Sequence, residues 1–566
     1  MIIFSGEDTV MKKILLSISI LFAASFCIFG ADHLVERTYL STDRDVYVAG
    51  DRIWCSAFCV DAGAGGLSGF SSIAYVELRS SDGLVQTAKI ALQGGRGAGF
   101  VEIPANTPTG NYRLFAYTAQ NVNEDGFDYL AGSKLVSVFN TFTAERVTDG
   151  VEIVDALPAA PAEPAPALRI AAGAPEGGVV PLRLSGFDRD ATLSISVYHD
   201  DGFNLPEASD IRSFVTRADV SSLHFTDRRI PEYDGEIVYG HVAGVDPAEL
   251  PDLEGKFAFI SVPGDRSDTY SCQVERDGSV TFFTNNLYGD KDLVCQIEGL
   301  ESTSGAHLEI RSPFVDVETG DVPKLRMAPS MADRLRERSI AMQIEKMFDA
   351  DTLFEYLPVR DNLLFGGEGI TYVLDDYTRL PLMEECIVEF ITELRARRDA
   401  QGRRDLQVRL QDSWRTMYFS RGASLMMVDG VPVFDHETIY RYDPLLVETV
   451  NIYPYTYFIG ARSYNGVANF VTYKQNLPSV TFPDNVRIID FQGAAYPVAY
   501  TCKGVGKDYP DYRQTVLWEP MLNAKEGESL DLDCVLPAYK GRFRVVVEGL
   551  SSAGEPIRAT ASFDVR

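Results

Sequence analysis

Side chains that could carry out catalysis occur along the chain, but their spacing does not assemble an active site. His436-Glu437 begins like the His-Glu-x-x-His helix of zinc proteases, in which two histidines one turn apart hold the metal. Tyr440 occupies the position of the second histidine. The six histidines are scattered over the sequence, at His33, His199, His224, His241, His307 and His436. Because they show no metal-ligand spacing, the sequence predicts no catalytic metal.

Motifs for nucleophilic catalysis and phosphate binding are also missing. No Gly-x-Ser-x-Gly sequence presents a nucleophilic serine, and Lys503–Lys507 lacks the spacing and the Ser/Thr of a phosphate loop. The acidic clusters Asp361–Glu368 and Asp375-Asp376 offer carboxylates for calcium, but no twelve-residue calcium loop surrounds them. We interpret them as solvated loops and expect neither an enzyme nor a cofactor.

Aromatic side chains are the remaining candidates for a functional surface. Six of them are close in sequence, namely Tyr440, Tyr442, Tyr453, Tyr455, Tyr457 and Phe458. Such rings give large contact areas and hydrogen-bonding hydroxyl groups at interfaces, so they are predicted to contact a partner. The alternative is that alternation along a strand buries Tyr453, Tyr455 and Tyr457 together against a neighbouring module. The sequence leaves both open.

Charge and length narrow the class of protein. The chain has 566 residues, with 81 acidic against 52 basic residues and a formal charge of −29. An acidic surface disfavours nucleic acid and anionic lipid as partners. The length suggests roughly four domains of about 150 residues each, and the apolar content of 45% is enough for packed cores.

The N-terminal segment has the features of a secretory signal. Met11-Lys12-Lys13 precedes the apolar run Ile14–Phe29, which predicts a signal peptide over residues 1–30, with residues 1–10 as an over-called start. Bulky Phe26 before Cys27 disfavours lipidation. No later run reaches 18 apolar residues, so no transmembrane span is expected after cleavage.

The cysteines do not indicate a disulfide scaffold. Of eight cysteines, seven would remain once Cys27 is removed, an odd number spread over several domains. Cys55 and Cys59 would lie about 13 Å apart on one strand, beyond disulfide reach. Bridges between adjacent strands stay open for Cys272 with Cys295 and for Cys502 with Cys534, although buried, reduced thiols are expected.

Residues 31–147 are predicted to form an antiparallel β-sandwich. Short apolar runs separated by Gly, Asp and Asn turns predict six strands, at Arg37–Ser41, Arg52–Val60, Ile73–Arg79, Gly99–Ile103, Tyr112–Thr118 and Leu135–Asn140. The opening Thr38–Asp51 and the closing Gly110–Leu114 resemble the macroglobulin domain of the alpha-2-macroglobulin family. Residues 148–167 contain the proline-rich run Leu157–Ala167, which predicts a semi-rigid linker between domains that move separately.

Residues 168–320 continue the β-sandwich pattern. Asp277-Gly278 predicts a hairpin between Tyr270–Glu275 and Val280–Thr284. From about residue 231, the segment Pro231–Val242 resembles the entry of carboxypeptidase-regulatory-like β-sandwiches, modules that usually act as spacers.

A helical connector is predicted over residues 321–370. Ser330 can cap a helix whose apolar stripe contains Met331, Leu335, Ile344, Met347 and Phe348. A second helix, from Leu382 to about Arg397, would place Cys386, Ile387, Phe390, Ile391 and Leu394 on one buried face.

Residues 371–475 resemble the plug domain of TonB-dependent outer-membrane receptors. The resemblance rests on the strand Leu425–Val428, the turn Asp429-Gly430, the strand Val447–Tyr453 and the later Gly460-Ala461-Arg462 and Asn465-Gly466. Asp-Gly and Asn-Gly are predicted to supply the positive-φ residues of tight turns. Only 92 residues follow Lys474, too few for a receptor barrel of about 22 strands that each need roughly 9–11 residues.

Residues 476–566 return to a β pattern and contain a second macroglobulin resemblance, at Asp511–Pro520 and Gly541–Leu550. The Cys-Gly-Glu-Gln thioester of protease-trapping macroglobulins is absent from the sequence. The predicted fold is therefore mainly β, with tandem antiparallel β-sandwiches and a small α+β plug-like domain inserted before a C-terminal β-sandwich.

These resemblances imply an exported, non-enzymatic scaffold in the periplasm, or at the outer membrane or cell surface, of a Gram-negative bacterium, with an envelope or outer-membrane protein as partner. Two alternatives stay open. One is a macroglobulin-type protease inhibitor without a thioester, and the other is an accessory to a TonB-dependent uptake system.

Overall fold

The computed structural model describes residues 34–142, 150–157, 168–203, 210–214, 223–226, 228–264, 268–285, 287–347, 354–359, 365, 369–398, 402, 404–411, 417–419, 422–500, 511–538 and 540–566. The predicted signal peptide, Cys502, Lys503–Lys507 and the acidic cluster Asp361–Glu368 apart from Phe365 lie outside these residues. Within them the fold is mainly β, which confirms the predicted fold class.

Strands make up most of the described chain. The first twelve are β1 (Glu36–Thr42), β2 (Val46–Val48), β3 (Arg52–Asp61), β4 (Ile73–Ser80), β5 (Gly83–Ala91), β6 (Arg96–Glu102), β7 (Gly110–Tyr117), β8 (Lys134–Phe139), β9 (Val151–Ile153), β10 (Arg169–Ala172), β11 (Val179–Ser185) and β12 (Ala191–His199).

The middle of the chain adds short helices. After α1 (Ile211–Phe214) come β13 (Ile237–Ala243), β14 (Phe257–Val262), β15 (Asp268–Gln273), β16 (Ser279–Phe283), β17 (Asp290–Ile297), β18 (His307–Ile310), β19 (Leu325–Met327), α2 (Ala332–Met347), β20 (Phe354–Tyr356), β21 (Ile370–Val373), α3 (Met383–Glu389), β22 (Leu394–Arg398), β23 (Arg404–Gln411) and β24 (Met417–Phe419).

The last part of the chain contains β25 (Leu425–Val428), β26 (Val431–Pro432), α4 (His436–Tyr440), β27 (Val447–Ile459), β28 (Arg462–Thr472), β29 (Arg487–Gln492), β30 (Val498–Tyr500), β31 (Thr515–Ala524), β32 (Leu530–Val535), β33 (Gly541–Ser551) and β34 (Pro556–Val565).

The first sandwich comprises β1 to β8. β7 pairs along its length with β8 and β4, whereas it meets β1 only at the Thr38–Ala116 bridge. The ladder therefore divides into a layer β5-β4-β7-β8-β2 and a layer β1-β3-β6, with an apolar core that includes Ile53, Val76 and Val136. All six strands predicted in this region are present, with ends shifted by at most a few residues.

The second sandwich is built from two distant parts of the chain. One sheet has the order β10-β11-β32 and the other the order β31-β12-β33-β34. Residues 476–566 therefore do not form a separate C-terminal domain, because four of their strands complete a sandwich begun by residues 168–199. Period-2 alternation identifies strands but does not specify a partner more than 300 residues away.

The third sandwich is inserted between β12 and β31. Its sheets have the orders β16-β13-β18 and β15-β14-β17-β29. The turn predicted at Asp277-Gly278 is present. The hairpin predicted around it is wrong, because β15 and β16 belong to different sheets. Cys272 and Cys295 are not on adjacent strands, since β14 lies between β15 and β17. Cys55, Cys59, Cys272, Cys295 and Cys386 are free thiols in the described part of the chain.

A smaller α+β unit is inserted in turn between β18 and β29. Its five-stranded sheet has the order β21-β27-β28-β25-β26, and β25 and β28 run parallel. Helices α3 and α4 and the ladder β22-β23-β24 cover one face. The helix predicted from Leu382 to Arg397 is too long, because α3 ends at Glu389 and Leu394–Arg398 forms β22. Pairing with β23 overrides the helical pattern, although Leu394 is buried as expected.

The helical connector packs on the first sandwich. Helix α2 follows the 3-10 turn Pro329–Met331, so Ser330 lies inside that turn instead of capping the helix. Arg338 donates to the Val46 carbonyl at 2.6 Å and pairs with Asp201. The predicted apolar stripe is only partly buried, because Met347 is 78% exposed, and its last residue, Phe348, lies outside the described residues.

The proline-rich linker connects sandwiches that are in contact. Its last ten residues, 158–167, lie outside the described part, but β9 within it pairs with β19. Across the two sandwiches, the Ser194 hydroxyl donates to Ser41 Oγ at 2.9 Å and the Tyr39 hydroxyl donates to Glu548 at 2.9 Å. These buried contacts do not favour the separate movement expected for the two domains.

Candidate functional site

The hairpin formed by β27 and β28 positions four of the six aromatic candidates. Between Tyr453 and Thr456 the register slips by one residue, so β27 contains a bulge around Pro454. A bulge bends the strand and interrupts the regular alternation of its side chains. The rings of Tyr453 and Tyr457 lie together, with centroids 6.1 Å apart, whereas Tyr455 turns outward and is exposed.

Tyr453 and Tyr457 pack against the rest of the protein. Phe365 lies between them, with ring centroids 5.0 Å from Tyr453 and 5.3 Å from Tyr457. Burial raises the pKa of both phenols. The alternative interpretation of the sequence, burial against a neighbouring module, thus applies to these two tyrosines, which join a cluster that contains Phe259 of the third sandwich.

Tyr440 and Tyr442 are buried in the core of the α+β unit, with 2% and 4% of their surfaces exposed. The Tyr442 hydroxyl donates to the Pro478 carbonyl, and the Arg404 guanidinium lies 4.9 Å above the Tyr440 ring. Desolvation raises the pKa of Tyr440 to about 12. The prediction that Tyr440 and Tyr442 contact a partner is therefore wrong, because a ring in the core has almost no accessible area for a partner.

Phe458 and Tyr455 remain on the surface. Phe458 is 70% exposed and Tyr455 is 37% exposed. Phe458 pairs across the hairpin with Ser463, which is also exposed, and Thr456 projects on the same side as Phe458. We call Tyr455, Thr456, Phe458 and Ser463 the hairpin patch.

The turn that holds the base of this sheet was predicted correctly. Asp429 and Gly430 have φ values of +47° and +77° between the paired residues Val428 and Val431. The buried Asp429 carboxylate accepts hydrogen bonds from Thr472 N at 2.6 Å, Thr472 Oγ1 at 2.8 Å and Leu477 N at 2.9 Å. This residue therefore fixes the end of β28 as well as the turn.

Polar contacts that the sequence did not reveal fix the hairpin to the third sandwich. Arg462 forms two hydrogen bonds with the Glu298 carboxylate, at 2.8 and 2.6 Å, and these raise the pKa of Arg462. Ser271 Oγ donates to the Ile459 carbonyl at 2.5 Å. Both contacts join residues more than 150 positions apart in the sequence. No local sequence pattern could therefore have predicted them.

Over the described ranges, no three His, Cys, Asp or Glu side chains are grouped so that they could hold a metal ion. In that same part of the chain, none of the helices combines the length and apolar character needed to cross a bilayer.

Comparison with known proteins gives only remote similarities. No protein-family model matches the chain, and no curated protein matches its sequence. Among solved structures, trypsin-activated alpha-2-macroglobulin from Escherichia coli aligns with 94% of this chain and 42% of its own, at 10% identity and a TM-score of 0.24. Salmonella alpha-2-macroglobulin reacted with methylamine aligns with 94% and 40%, at 9% identity and a TM-score of 0.23.

An Escherichia coli adhesin aligns with 49% of this chain and 64% of its own, at 10% identity and a TM-score of 0.16. The chain thus spans less than half the length of the two macroglobulins. At TM-scores this low, the similarities carry no inference about this chain's activity.

Proposed function

We propose that the chain is an exported, non-enzymatic protein of the Gram-negative cell envelope that acts as a protein-binding scaffold and contacts its partner through the hairpin patch. The observation that carries the proposal is the 70% exposure of Phe458 on a strand whose neighbours are fixed. An exposed aromatic ring on a rigid element loses little conformational freedom on binding. Aromatic side chains are also enriched at the centres of protein interfaces.

The support for rigidity comes from both sides of Phe458. Ile459 accepts a hydrogen bond from Ser271, and Arg462 across the turn is paired with Glu298. The patch therefore moves with the third sandwich as one body. The resemblance of residues 425–474 to receptor plugs favours an outer-membrane protein as the partner.

Crosslinking in intact envelopes, followed by affinity purification of the tagged protein and mass spectrometry, tests this function. We expect one envelope protein to be enriched with the unmodified chain and lost with Phe458→Ala. Phe283→Ala is the matched control, because Phe283 is also on a strand and is 64% exposed, but it belongs to the third sandwich. The control should keep the partner.

Identical partners for Phe458→Ala and the unmodified chain would overturn the assignment of the hairpin patch. A captured barrel protein would specify the scaffold as an accessory to outer-membrane uptake. Captured proteases, together with one preferred cut in this chain, would replace the scaffold function by protease inhibition.

A further inference from the structure

Strand β22 forms an edge of the three-stranded ladder β22-β23-β24 in the α+β unit. Among the described strands it pairs with β23 alone, and its residues from Arg395 to Arg398 are all exposed. The free side of an edge strand presents backbone N–H and C=O groups to solvent. An extended segment of another protein can pair with such groups and add a strand to the ladder.

The register identifies the backbone groups that face the free side of β22. Arg409 N donates to the Glu393 carbonyl at 2.7 Å, two positions before Arg395. Hydrogen-bonded pairs alternate along an antiparallel ladder, so the backbone groups of Arg395 and Arg397 point toward β23. The N–H and C=O of Ala396, which lies between them, therefore point away from β23. Ala396 is exposed and has only a methyl side chain, so a partner strand can approach its backbone.

Arg395 is an exposed cation that its neighbours hold in place. Its guanidinium lies 3.9 Å from the centre of the Phe419 ring, and its Nη2 donates to Gln407 Oε1 at 3.1 Å. Stacking and a side-chain hydrogen bond fix the planar guanidinium before a ligand arrives, so less conformational freedom is lost on binding. The side chain is exposed, so a carboxylate can reach it from solvent.

Arg397 is the second cation on the same face of β22. Side chains alternate between the two faces of a strand, so Arg395 and Arg397 project to one side, about 7 Å apart. Arg397 is exposed, and it forms neither an ion pair nor a side-chain hydrogen bond with the described residues. Two cations at this spacing match carboxylates on alternate residues of an added strand, because oppositely charged side chains on neighbouring strands attract each other.

Positive charge is concentrated in this part of an acidic chain. Residues 393–411 contain six arginines and three acidic residues, whereas the whole chain has a formal charge of −29. Arg404 is paired with Glu384 of α3 at 2.8 Å, so its charge is offset. Glu385 and Glu389 of α3 are exposed and disfavour an acidic ligand on the helix side. The excess of positive charge is therefore on β22 itself.

The two carboxylates closest to the arginines of β22 in the ladder have other partners. Glu393, which precedes β22, is 8% exposed and accepts a hydrogen bond from the Tyr372 hydroxyl. Asp405 lies opposite Arg397 in the register, but its carboxylate is 3.1 Å from His436 Nδ1 and forms no ion pair with Arg397 in the described structure. Arg397 can therefore pair with a carboxylate from outside the chain.

The charge of the whole protein favours a short anionic segment as the ligand. A nucleic acid or an anionic membrane would bring many negative charges within about 10 Å, the Debye length at 0.1 M salt, of the acidic surface around the hairpin. A short acidic segment meets mainly the arginines of β22. Charged side chains on an edge strand disfavour the addition of other strands, so only a strand of opposite charge gains from pairing here.

We propose that β22 binds an extended acidic segment of a partner protein by strand addition. The backbone of the segment pairs with Ala396, and Asp or Glu residues on either side of the paired position form ion pairs with Arg395 and Arg397. The residue between these acids projects to the same face as buried Leu394, so it is apolar. This surface shares no residue with the hairpin patch, so the proposal goes beyond the proposed function and does not depend on it.

Fluorescence anisotropy of rhodamine-labelled peptides, titrated with the full chain at pH 7 and low salt, tests the proposal. The first peptide is Gly-Thr-Thr-Glu-Val-Glu-Thr-Thr-Gly, and the paired probe is Gly-Thr-Thr-Val-Glu-Glu-Thr-Thr-Gly, which has the same composition. Adjacent glutamates point to opposite faces of a strand, so only one of them can meet the arginines. The loss of one exposed ion pair should weaken the paired probe about twofold to fivefold.

Variants of β22 separate the two parts of the site. Arg397→Gln should weaken binding of the first peptide about twofold to fivefold. Ala396→Pro removes an N–H that β23 does not use, so it should weaken binding at least about fivefold and leave the ladder intact. Arg169→Gln is the matched control, because Arg169 is an exposed arginine on β10, an edge strand of the second sandwich. The control and Phe458→Ala should both keep the full affinity.

Circular dichroism should show the same melting temperature for all variants, and Arg397→Gln, which changes only an exposed side chain, decides the outcome if Ala396→Pro melts lower. Equal affinity for the two peptides, no change in anisotropy with either, or full affinity in Arg397→Gln would each overturn the proposal. Full affinity in Ala396→Pro would overturn strand addition. Tighter binding of a single-stranded oligonucleotide or of phosphatidylglycerol vesicles than of the first peptide would overturn the choice of an acidic protein segment.

Discussion

At the residue scale, the buried carboxyls explain how separate modules hold together. Glu232 is 2% exposed, and its Oε1 accepts hydrogen bonds from the Tyr75 hydroxyl at 2.7 Å and Ile237 N at 2.9 Å. Glu236 nearby pairs with Lys89 at 2.6 Å. The two glutamates thus link the entry to the third sandwich with strands β4 and β5 of the first sandwich.

Among the described residues, Lys89 pairs with Glu236, and half-buried Arg229 also acts on both carboxylates. Desolvation is the main cause that raises the pKa of Glu232 to about 7, and the charge of Glu236 adds to it. The carboxyl of Glu232 is therefore neutral in the folded protein at pH 5 and ionised at pH 8.

The expected consequence is a fold that loses stability as pH rises. Because the folded pKa of Glu232 lies above the unfolded value near 4.5, its favourable contribution is complete below about pH 4.5 and is lost as pH rises through about 7. Glu232→Gln should remove this dependence, with a difference of about 1–3 kcal/mol between pH 5 and pH 8. Urea unfolding at pH 5 and at pH 8, monitored by tryptophan fluorescence, measures the free energy of unfolding of each variant.

Glu254→Gln serves as the control for that experiment, since Glu254 is an exposed glutamate of the same sandwich. The same pH slope in Glu232→Gln and the unmodified chain would refute the role assigned to Glu232.

At the element scale, the sequence indicates strands and turns better than it indicates which strands pair. Six of the eight strands of the first sandwich and the Asp429-Gly430 turn follow from alternation and turn residues within a few positions. The helix over Leu382–Arg397 and the hairpin at Asp277-Gly278 fail, because β22 pairs with the following strand β23 and β15 pairs with the preceding strand β14. The aromatic candidates were found by composition, but the bulge at Pro454 and the contact with Phe365 decide which of them are exposed.

Gly466 shows the same effect within one strand. It was predicted to form a tight turn with Asn465, but it lies inside β28 with a φ of +86°. A Cβ atom at this position would lie 2.4 Å from Val408 Cβ on β23. Its hydrogen side chain therefore allows β23 to pack directly on the five-stranded sheet.

Gly466→Ala should consequently destabilise the α+β unit by about 2–4 kcal/mol, from backbone strain together with overpacking. Gly255→Ala is the matched control, because Gly255 has a φ of +78° and no atom within 4 Å of the added Cβ. It should cost only about 1–2 kcal/mol. Chemical denaturation gives both values. Losses that are less than additive in the double variant Gly466→Ala/Val408→Gly, which removes the clashing Cβ, would isolate the packing contribution. Equal losses for Gly466→Ala and Gly255→Ala would contradict it.

At the scale of the whole molecule, the chain is a series of nested insertions. The α+β unit interrupts the third sandwich between β18 and β29, and the third sandwich interrupts the second between β12 and β31. Each outer module is closed only when the chain returns to it. The sequence indicates strands in both segments, but nothing local in it indicates that the last 56 residues belong with residues 168–199.

Nesting makes the modules unequal in their dependence on the C-terminal strands. β33 pairs with nine consecutive residues of β12, Ala191 to His199, and β34 pairs with β33 alone. Removal of residues 541–566 should therefore expose the backbone N–H and C=O groups of β12 that pair with β33. It also removes the buried side chains of Val545 and Val547 from the core of the second sandwich. The third sandwich keeps all of its strands, because β29 ends at Gln492.

Hydrogen–deuterium exchange with mass spectrometry can separate these outcomes in the truncated chain. Amides of β12 should lose protection by at least about tenfold, since their opening free energy falls when a whole ladder is removed. Amides of β14 and β17 should exchange as in the full chain, because their partners are present. Uniform loss of protection would mean that the modules fold as one cooperative unit, and unchanged protection of β12 would show that pairing with β33 does not hold the second sandwich closed.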